Sequence, residues 1–215
     1  MHVRTPAGIR PVRLVAFAAA LLVPLLALAA PAAHAGPLVE SAPDCDAQKL
    51  ETPFTRWGDV ANYTLAPNGV AENRAAWSLQ DGADVEPGNE SFYIHNPRDR
   101  ASLSLPAGSS ATTDTMCVGI EHPTLRLVAR NTGSLASLLL VQVLFEDAAG
   151  NVRSLPIGAV VAGSSWQPSL PMPVIANLLP LLPGSHTAVA FRFTPYGSGG
   201  DWTIDDVYVD PWRHG

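Results

Sequence analysis

The sequence is poor in cysteine, in charge and in long apolar runs, and each shortage excludes a class of protein. Its 215 residues include 2 cysteines, and 15% of all residues are charged. Two cysteines are too few for a disulfide-rich scaffold, and no Cys/His spacing fits a zinc site. Beyond the first 35 residues no apolar run is long enough to cross a membrane. We therefore expect no membrane insertion by that part of the chain.

Recognisable catalytic motifs are also missing. There is no Gly-x-Ser-x-Gly elbow, and the histidines after residue 35 show no zinc-binding spacing. Of these, His122 precedes a proline and His214 is next to last in the sequence, so both are expected at the surface. Glu146 and Asp147 could pass for a glycosidase pair, but they fall in a predicted hairpin turn, and adjacent side chains do not flank a scissile bond. We predict a protein that is not an enzyme, with a small polysaccharide-active enzyme as the least favoured alternative.

The first 35 residues have the pattern of a secretory signal peptide. A start with three arginines precedes the apolar residues 14–30, and Ala33-His34-Ala35 is a small-residue cleavage signature before Gly36. A membrane anchor is the alternative, but the apolar segment is barely long enough and contains Pro24. The sequence therefore predicts a signal peptide over residues 1–35 and a secreted, extracellular protein that begins at Gly36.

The charge of the mature chain argues against nucleic acid as a partner. Removal of residues 1–35 takes away three of the 13 Lys and Arg residues and none of the 19 Asp and Glu residues, which leaves a net charge of −9. Binding of nucleic acid needs a concentrated basic surface. Residues 36–215 are of a length that suits one domain with a sizeable core.

The two cysteines both belong to the mature chain. In an oxidising compartment we expect a disulfide between Cys45 and Cys117. Loop-closure entropy over so long a loop would stabilise the folded state by roughly 4 kcal/mol. A metal-binding pair and two free thiols are the alternatives.

The pattern of the mature chain favours many short strands. Residues 138–145 form its most apolar segment and are predicted to be a central strand, with residues 152–161 as a hairpin partner that carries a bulge or lies at an edge because of Pro156. Residues 92–94 form a brief apolar run, and residues 187–194 alternate cleanly. With eight to ten strands, turn residues between them and no long helix, we predict an all-β, antiparallel two-sheet β-sandwich.

The last predicted strand contains two adjacent carboxylates. Strict alternation would place Asp205 on the side of Val207 and Val209, and Asp206 on the side of Trp202 and Ile204. Because both sides carry apolar residues, at least one aspartate is expected to be partly buried. A buried carboxylate needs hydrogen-bond donors, a cation or a proton.

Two runs near the ends of the mature chain carry a family resemblance. They are residues 65–72 (LAPNGVAE), followed by Trp77, and residues 202–207 (WTIDDV). Together they resemble the two ends of a jelly-roll carbohydrate-binding module of the galactose-binding-like kind. That family often opens with Asn-Gly-x-Phe-Glu and a tryptophan, and closes with an aromatic-x-Ile-Asp-Asp-Val strand. Ala71 departs from this pattern, since the family has phenylalanine there. The chain is also similar to small secreted actinobacterial proteins of unknown function.

The resemblance implies a sandwich whose first and last strands lie close together, with a structural calcium ion near them. Carried over residue by residue, Glu72 and Asp205 fall on ligand positions, and Asp206 is the other candidate. Independently, calcium takes six to eight oxygens and can draw on a turn such as the one that holds Asn68 and Glu72. The alternative is that Glu72 is a solvated turn residue and that both aspartates accept backbone hydrogen bonds.

Aromatic residues in predicted loops are the candidates for ligand contact. Trp57, Trp166 and Tyr196 lie in such loops, and sugar-binding sites commonly stack sugar rings on exposed aromatic rings. Each could instead belong to the core, as we expect for Trp77 and Trp202. The sequence predicts a module that binds glycan or cell-surface material. A structural or adhesive protein–protein module on the same fold is the alternative.

Overall fold

A computed structural model describes residue 2 and residues 36–42, 48–119, 122, 124–174 and 186–210. The chain divides into two units, Met1–Ala32 and Ala33–Gly215, and every element described below belongs to the second. The predicted signal peptide falls almost wholly outside the described residues, and so do Cys45 and His214. No helix in the described residues is long and apolar enough to cross a membrane.

The described residues form fourteen strands, one four-residue helix, α1 (Pro37–Glu40), and two 3-10 turns, Thr55–Trp57 and Arg74–Ala76. The strands are β1 (Leu50–Glu51), β2 (Tyr63–Leu65), β3 (Trp77–Gln80), β4 (Asp84–Pro87), β5 (Ala101–Leu105), β6 (Ser110–Thr113), β7 (Met116–Val118), β8 (Thr124–Asn131), β9 (Leu138–Glu146), β10 (Val152–Val160), β11 (Gln167–Pro168), β12 (Met172–Pro173), β13 (Thr187–Tyr196) and β14 (Trp202–Asp210). The number exceeds the predicted eight to ten because it includes two-residue strands such as β11 and β12.

The strands form two antiparallel sheets. In sheet A the order is β1-β2-β14-β5-β4, and β8 pairs with the other edge of β14 and with β11 and β12. In sheet B the order is β10-β9-β13-β6-β3, and β7 also pairs with β13. The predicted all-β, two-sheet antiparallel sandwich is confirmed. The predicted bulge and edge position of β10 are found as well, because its register shifts between Pro156 and Gly158 at the end of sheet B.

The main core lies between the two sheets. Trp202 and Ile204 from β14 pack with the inward residues of β8, β9 and β13, which include Phe191 and Phe193. Trp77 and Trp202 are 6% and 1% exposed, so their predicted place in the core is confirmed. Each large apolar side chain removed from water contributes about 1.5–3 kcal/mol, and this burial holds the two sheets together.

A β-bulge in β14 changes the faces that strict alternation predicts. The register with β8 shifts between Asp205 and Tyr208, and Asp206 has a left-handed φ of +50°. The extra residue keeps Val207 in the main core, on the same side as Ile204. Tyr208 lies instead in a second cluster on the outer face of sheet A. The predicted faces were therefore wrong, because alternation fails where an extra residue interrupts the ladder.

The second cluster consists of Phe54, Tyr63, Val128 and Tyr208, with partly buried residues around it that include Phe92, Ile94 and Trp166. Residues 92–94 are not a strand. They belong to a loop over residues 88–100, here called the Glu90 loop, in which Tyr93 has a left-handed φ of +52°. Sheet A is thus covered on part of its outer face by loop residues.

Cys117 is buried in β7, with 3% of its surface exposed. Its predicted partner, Cys45, lies outside the described residues. The Cys45–Cys117 disulfide stays a prediction.

Candidate functional site

The two adjacent aspartates of β14 are both buried. Asp205 is 1% exposed and Asp206 is 2% exposed, which confirms the expectation that at least one of them leaves water. The Oδ1 atom of Asp205 accepts the N–H of Asp206 at 3.0 Å, and its Oδ2 atom accepts the N–H of Glu90 at 3.1 Å. Backbone donors therefore compensate part of the cost of burying the Asp205 carboxylate.

Glu90 is a further buried carboxylate near these aspartates, and no sequence pattern indicated its burial. Its side chain is fully buried and accepts the N–H groups of Phe92 and Ile94, the latter at 2.6 Å. A glutamate beside Pro87-Gly88-Asn89 has the pattern of a solvated turn residue. Its burial depends on the Glu90 loop folding over sheet A, which a local pattern does not reveal.

Burial and, after it, the neighbouring Asp206 carboxylate together raise the pKa of Asp205 to about 9. Burial also raises the pKa of Asp206 to about 8, with the Glu90 and Asp99 carboxylates as the next causes. The pKa of Tyr208 is raised by burial and then by Asp206 and Glu51. The shared cause is a group of carboxylates with little access to water, an arrangement that favours a bound proton or a cation.

The turn of residues 66–72, which carries the other predicted metal ligands, lies against β14. The N–H of Ala66 donates to the Val207 carbonyl at 2.9 Å, and the N–H of Val207 donates to the Gly69 carbonyl at 3.0 Å. A Cβ added to Gly69 would lie 2.5 Å from the Val207 carbonyl oxygen, so a side chain there would prevent this approach. The turn therefore touches β14 one residue after Asp206.

The side chains of Asn68 and Glu72 contact groups other than the aspartates. The Asn68 amide donates to the carbonyl of Asn73. Oε1 of the exposed Glu72 accepts the N–H of Arg100 at 2.6 Å and that of Ala101 at 2.8 Å. These bonds join Glu72 to the start of β5, whereas Asp205 is joined to the Glu90 loop.

Within the described residues, no three or more His, Cys, Asp or Glu side chains form a group that could hold a metal ion. The chemistry of the groups near the bulge nevertheless fits calcium, since they are carboxylate and backbone carbonyl oxygens. Asp205 and Asp206 would supply carboxylate oxygens, and the turn of residues 66–72 would supply further ones. Calcium binding stays a prediction.

Trp57 is the predicted ligand residue that best combines exposure with fixed geometry. Its side chain is 36% exposed, and its ring centroid lies 4.9 Å from that of Phe92 in an edge-on contact. The Arg56 guanidinium lies 5.3 Å from the Trp57 centroid and 5.0 Å from the Phe92 centroid. Tyr93, the next residue along the Glu90 loop, is 47% exposed. We call Arg56, Trp57, Phe92 and Tyr93 the aromatic surface.

Tyr93 was not among the predicted ligand residues, because it lies within the brief apolar run of residues 92–94 and not in a predicted loop. Tyr93 itself has a left-handed φ, which turns its side chain outward, while its neighbours Phe92 and Ile94 pack against the second cluster. The sequence carries no glycine or turn motif at this position that would have signalled it.

The other two predicted ligand residues lie elsewhere. Trp166 is partly buried, and the Arg130 guanidinium lies 4.7 Å from its ring centroid. Tyr196 is 65% exposed at the end of β13 in sheet B. Trp57 and Trp166 both border the second cluster, whereas Tyr196 belongs to the other sheet, so the three do not form one surface.

The segment that carries Trp57 is held on sheet A by a charged pair. Asp59 forms an ion pair with Arg126 of β8, and Arg126 lies 4.3 Å above the Phe54 ring and donates from Nε to the Ser169 carbonyl at 3.0 Å. Burial raises the pKa of Asp59, but hydrogen bonds from Tyr63, the Ala61 backbone and Arg126 outweigh it and hold that pKa below its ordinary value. The segment that carries Trp57 is thus fixed on sheet A.

The histidines and the Glu146-Asp147 pair that were considered for catalysis each contact different partners. His95 Nδ1 lies 2.8 Å from Asp99 Oδ2. His122 is 1% exposed, so its predicted surface position was wrong. Its ring accepts the Gly119 N–H at 2.9 Å and closes a tight turn. Asp147 forms an ion pair with Arg153, and Glu146 accepts backbone N–H groups from residues 36–39.

Concave surfaces among the described residues include two clefts. One, of about 430 Å³, is lined by Ser41, Pro67, Thr113, Asp114 and Thr115. The other, of about 350 Å³, is lined by residues 159–161 and 167–170, and includes the exposed Val161 and Leu170.

Comparison with known proteins gives no match to a family model or to a curated protein. Solved structures do match. A xylan-binding domain from family 22 of the carbohydrate-binding modules is 14% identical, covers 73% of this chain and 99% of its own, and has a TM-score of 0.44. The first family 22 module of Paenibacillus barcinonensis Xyn10C is 11% identical, with coverages of 72% and 97% and a TM-score of 0.47.

A family 11 carbohydrate-binding module of Clostridium thermocellum Lic26A-Cel5E is 10% identical, covers 70% of this chain and 95% of its own, and has a TM-score of 0.40. All three solved structures are carbohydrate-binding modules, the class of protein that the two terminal runs of the sequence resemble.

Proposed function

We propose that this protein is a secreted, non-catalytic module that binds glycan or cell-surface material through the aromatic surface. The observation that carries the proposal is Trp57, an indole that remains 36% exposed although Phe92 and Arg56 contact it. A large aromatic ring that remains partly exposed in a fixed position is available to a ligand.

The fixed position of the Trp57 ring favours binding of sugar rings. Sugar C–H groups pack on the faces of aromatic rings, and a ring that is already immobilised loses little conformational entropy when the ligand arrives. The Arg56 guanidinium, 5.3 Å from the Trp57 ring centroid, and the hydroxyl of the exposed Tyr93 in the Glu90 loop would supply hydrogen bonds that an apolar partner would not need.

Calcium is proposed as a structural ion beside the bulge of β14. Asp205 and Asp206 would provide the carboxylates, and the turn that carries Asn68 and Glu72 would complete the oxygen ligands. The proposal is supported by two buried carboxylates and by the hydrogen bonds that bring this turn against Val207. Bound calcium would neutralise the charge that burial makes costly.

Export and oxidation belong to the same proposal. Residues 1–35 would direct secretion and be removed, and Cys45 and Cys117 would then be oxidised to a disulfide outside the cell. Intact mass of the secreted protein with and without reductant tests both steps. A mass that retains residues 14–30, or two titratable thiols in the native protein, would contradict them.

Affinity electrophoresis through gels that contain xylan, galactan, mannan or β-glucan tests the binding surface. We expect at least one polysaccharide to retard the mature protein, and Trp57→Ala and Tyr93→Ala to reduce this retardation without unfolding the domain. Tyr196→Ala removes a more exposed aromatic from sheet B and should leave the retardation unchanged. Reducing-sugar assays should detect no hydrolysis.

An adhesive protein–protein module is the second candidate, and the 350 Å³ cleft favours it. Leu170 and Val161 are 83% and 74% exposed beside that cleft. Exposed apolar side chains around a concavity are typical of a protein contact. If no polysaccharide retards the protein while Leu170→Ser abolishes its adhesion to cells, this second function replaces the first.

A further inference from the structure

Glu146, the last residue of β9, receives three backbone N–H groups from the start of the mature chain. Its Oε2 atom accepts the Gly36 N–H at 2.9 Å. Its Oε1 atom accepts the N–H of Leu38 at 2.5 Å and that of Val39 at 3.3 Å. One carboxylate thus holds residues 36–39 in place from 110 positions away in the chain.

Gly36 fits this position because it has no side chain. A Cβ added to Gly36 would lie 2.5 Å from the Gly150 carbonyl oxygen and 2.7 Å from the Glu146 carboxyl carbon. Both contacts are shorter than side-chain atoms tolerate, and one of them is to backbone. The nitrogen of Gly36 is therefore held in a recess formed by Glu146 and the β9–β10 turn.

The residues that follow Gly36 are docked on the same end of sheet B. Helix α1 lies against β9 and β13, and the Ser41 hydroxyl is 2.8 Å from that of Thr115. Leu144 and Ala190, a cross-strand pair outside the main core, are only 5% and 1% exposed. This end of the outer face is therefore covered, so the first mature residues form part of the folded domain.

We propose that Glu146 is the binding site for the α-ammonium group that signal-peptide removal creates at Gly36. The inference rests on the proposed cleavage after Ala35. Water hydrolyses the Ala35–Gly36 peptide bond: the carbonyl carbon of Ala35 gains the hydroxyl, and the nitrogen of Gly36 gains a hydrogen and is protonated near neutral pH. The nitrogen already lies 2.9 Å from Glu146 Oε2.

Cleavage changes the strength of this contact. Before it, the nitrogen of Gly36 is a neutral amide with one N–H. Afterwards it is a cation with three N–H groups facing a carboxylate, and charge-assisted hydrogen bonds are about twice as strong as neutral ones. Processing would therefore stabilise the docked N-terminal segment, so that the mature domain is more stable than a chain extended beyond Gly36.

The contact also predicts a pH dependence. An α-amino group has an ordinary pKa of about 7.7–8.0, and a neighbouring carboxylate raises it in the folded state. The stabilisation is then fully present below the unfolded-state pKa and is lost as pH rises through the folded-state pKa. Other titratable groups on the elements around this end of sheet B are Glu40, Asp114, Asp147, Arg153 and His186.

The experiment compares three forms of the mature protein, made by cleavage of a removable N-terminal fusion. The first starts at Gly36 with a free amine, the second is the same chain acetylated at Gly36, and the third retains Ala35. At pH 7 we expect the free-amine form to melt higher than the other two by roughly 2–4 °C, the shift that a contact of ordinary strength gives in a domain of this size. At about pH 10–11, above the ordinary amine pKa, the difference should vanish.

Two substitutions and one control substitution separate this site from simple capping of α1. Glu146→Gln keeps an acceptor oxygen but loses the charge, so it should remove the difference between free and acetylated forms. Glu86→Gln, an exposed neutralisation on β4, should preserve that difference. Gly36→Ala should lower the melting temperature and also remove the pH-dependent difference.

Equal melting of the free and acetylated forms at every pH would overturn the proposal, and so would a pH-dependent difference that survives in Glu146→Gln. A secreted protein that starts at another residue would overturn it as well. Glycan binding is read out at the aromatic surface and by different variants, so failure of the Glu146 site and failure of the proposed function are distinguishable.

Discussion

At the scale of single residues, Asp206 determines the geometry of the last strand. A non-glycine residue in the left-handed region is strained, and its carboxylate is buried beside those of Asp205 and Glu90. The fold tolerates this combination because the bulge returns Val207 and Val209 to the main core. The sequence predicted that an aspartate would be buried here. It could not predict the bulge, because no glycine or proline marks it.

The calcium proposal makes a prediction about these aspartates. An ion that binds only the folded state stabilises it by about 2.7 kcal/mol when its concentration is a hundredfold above its dissociation constant. Chelation should therefore lower the melting temperature measured by calorimetry. Asp205→Ala should lower it too and should abolish the effect of the chelator, whereas Glu86→Gln should keep that effect. Identical melting curves with calcium and with chelator would contradict the calcium proposal and would mean that these aspartates are only hydrogen-bonded.

Asp59 makes a prediction about acid stability. Because its folded-state pKa is below the ordinary value, its stabilising contribution is present above the unfolded-state pKa and is lost as pH falls through the folded-state pKa. Asp59→Asn leaves Arg126 buried without its carboxylate and should cost about 2–3 kcal/mol at neutral pH.

Urea unfolding at neutral pH and at about pH 3, below the ordinary carboxyl pKa, measures the contribution of Asp59. The loss of stability between the two pH values should be smaller in Asp59→Asn than in the unmodified protein. Asp81→Asn, at an exposed left-handed turn position, serves as the matched control and should behave like the unmodified protein. An unchanged acid dependence in Asp59→Asn would show that the ion pair with Arg126 does not stabilise the fold.

At the scale of elements, the regular strands could be predicted from the sequence, whereas the Glu90 loop could not. The predicted strands over residues 138–145 and 187–194 correspond to β9 and β13, because their apolar alternation reflects one buried face. The short run at residues 92–94 has the composition of a strand but forms part of the Glu90 loop. Its hydrogen bonds run to the buried Glu90 side chain, and composition does not reveal such a contact.

The Glu90 loop should therefore depend on one carboxylate. Glu90→Ala leaves the N–H groups of Phe92 and Ile94 without their acceptor, and each unsatisfied buried donor costs about 1–3 kcal/mol. We expect faster amide hydrogen exchange over residues 88–100, measured by mass spectrometry, while β9 and β13 remain protected. Ser91→Ala, an exposed change in the same loop, should leave the exchange unaltered. Unchanged exchange in Glu90→Ala would mean that other contacts order the loop.

At the scale of the whole molecule, composition and strand pattern were sufficient to predict a two-sheet antiparallel sandwich. The aromatic surface was only partly predictable. Trp57 was identified because it precedes a Gly-Asp turn, and Arg56 is its neighbour in the chain. Phe92, and with it the next residue Tyr93, joins them through packing between segments far apart in the chain. Trp166 and Tyr196 had equally suitable loop positions, but the fold places Tyr196 on the other sheet.

The central claim is that glycan binds at Trp57, and the indole N–H signals in a ¹⁵N NMR titration test it most directly. Trp77 and Trp202 serve as internal references, because both are buried and donate from Nε1 to Asn68 and to Ser137. As soluble polysaccharide is added, we expect the Trp57 signal to shift and saturate while those of Trp77 and Trp202 stay in place. A Trp57 signal that does not move with any polysaccharide tested would contradict the proposed function.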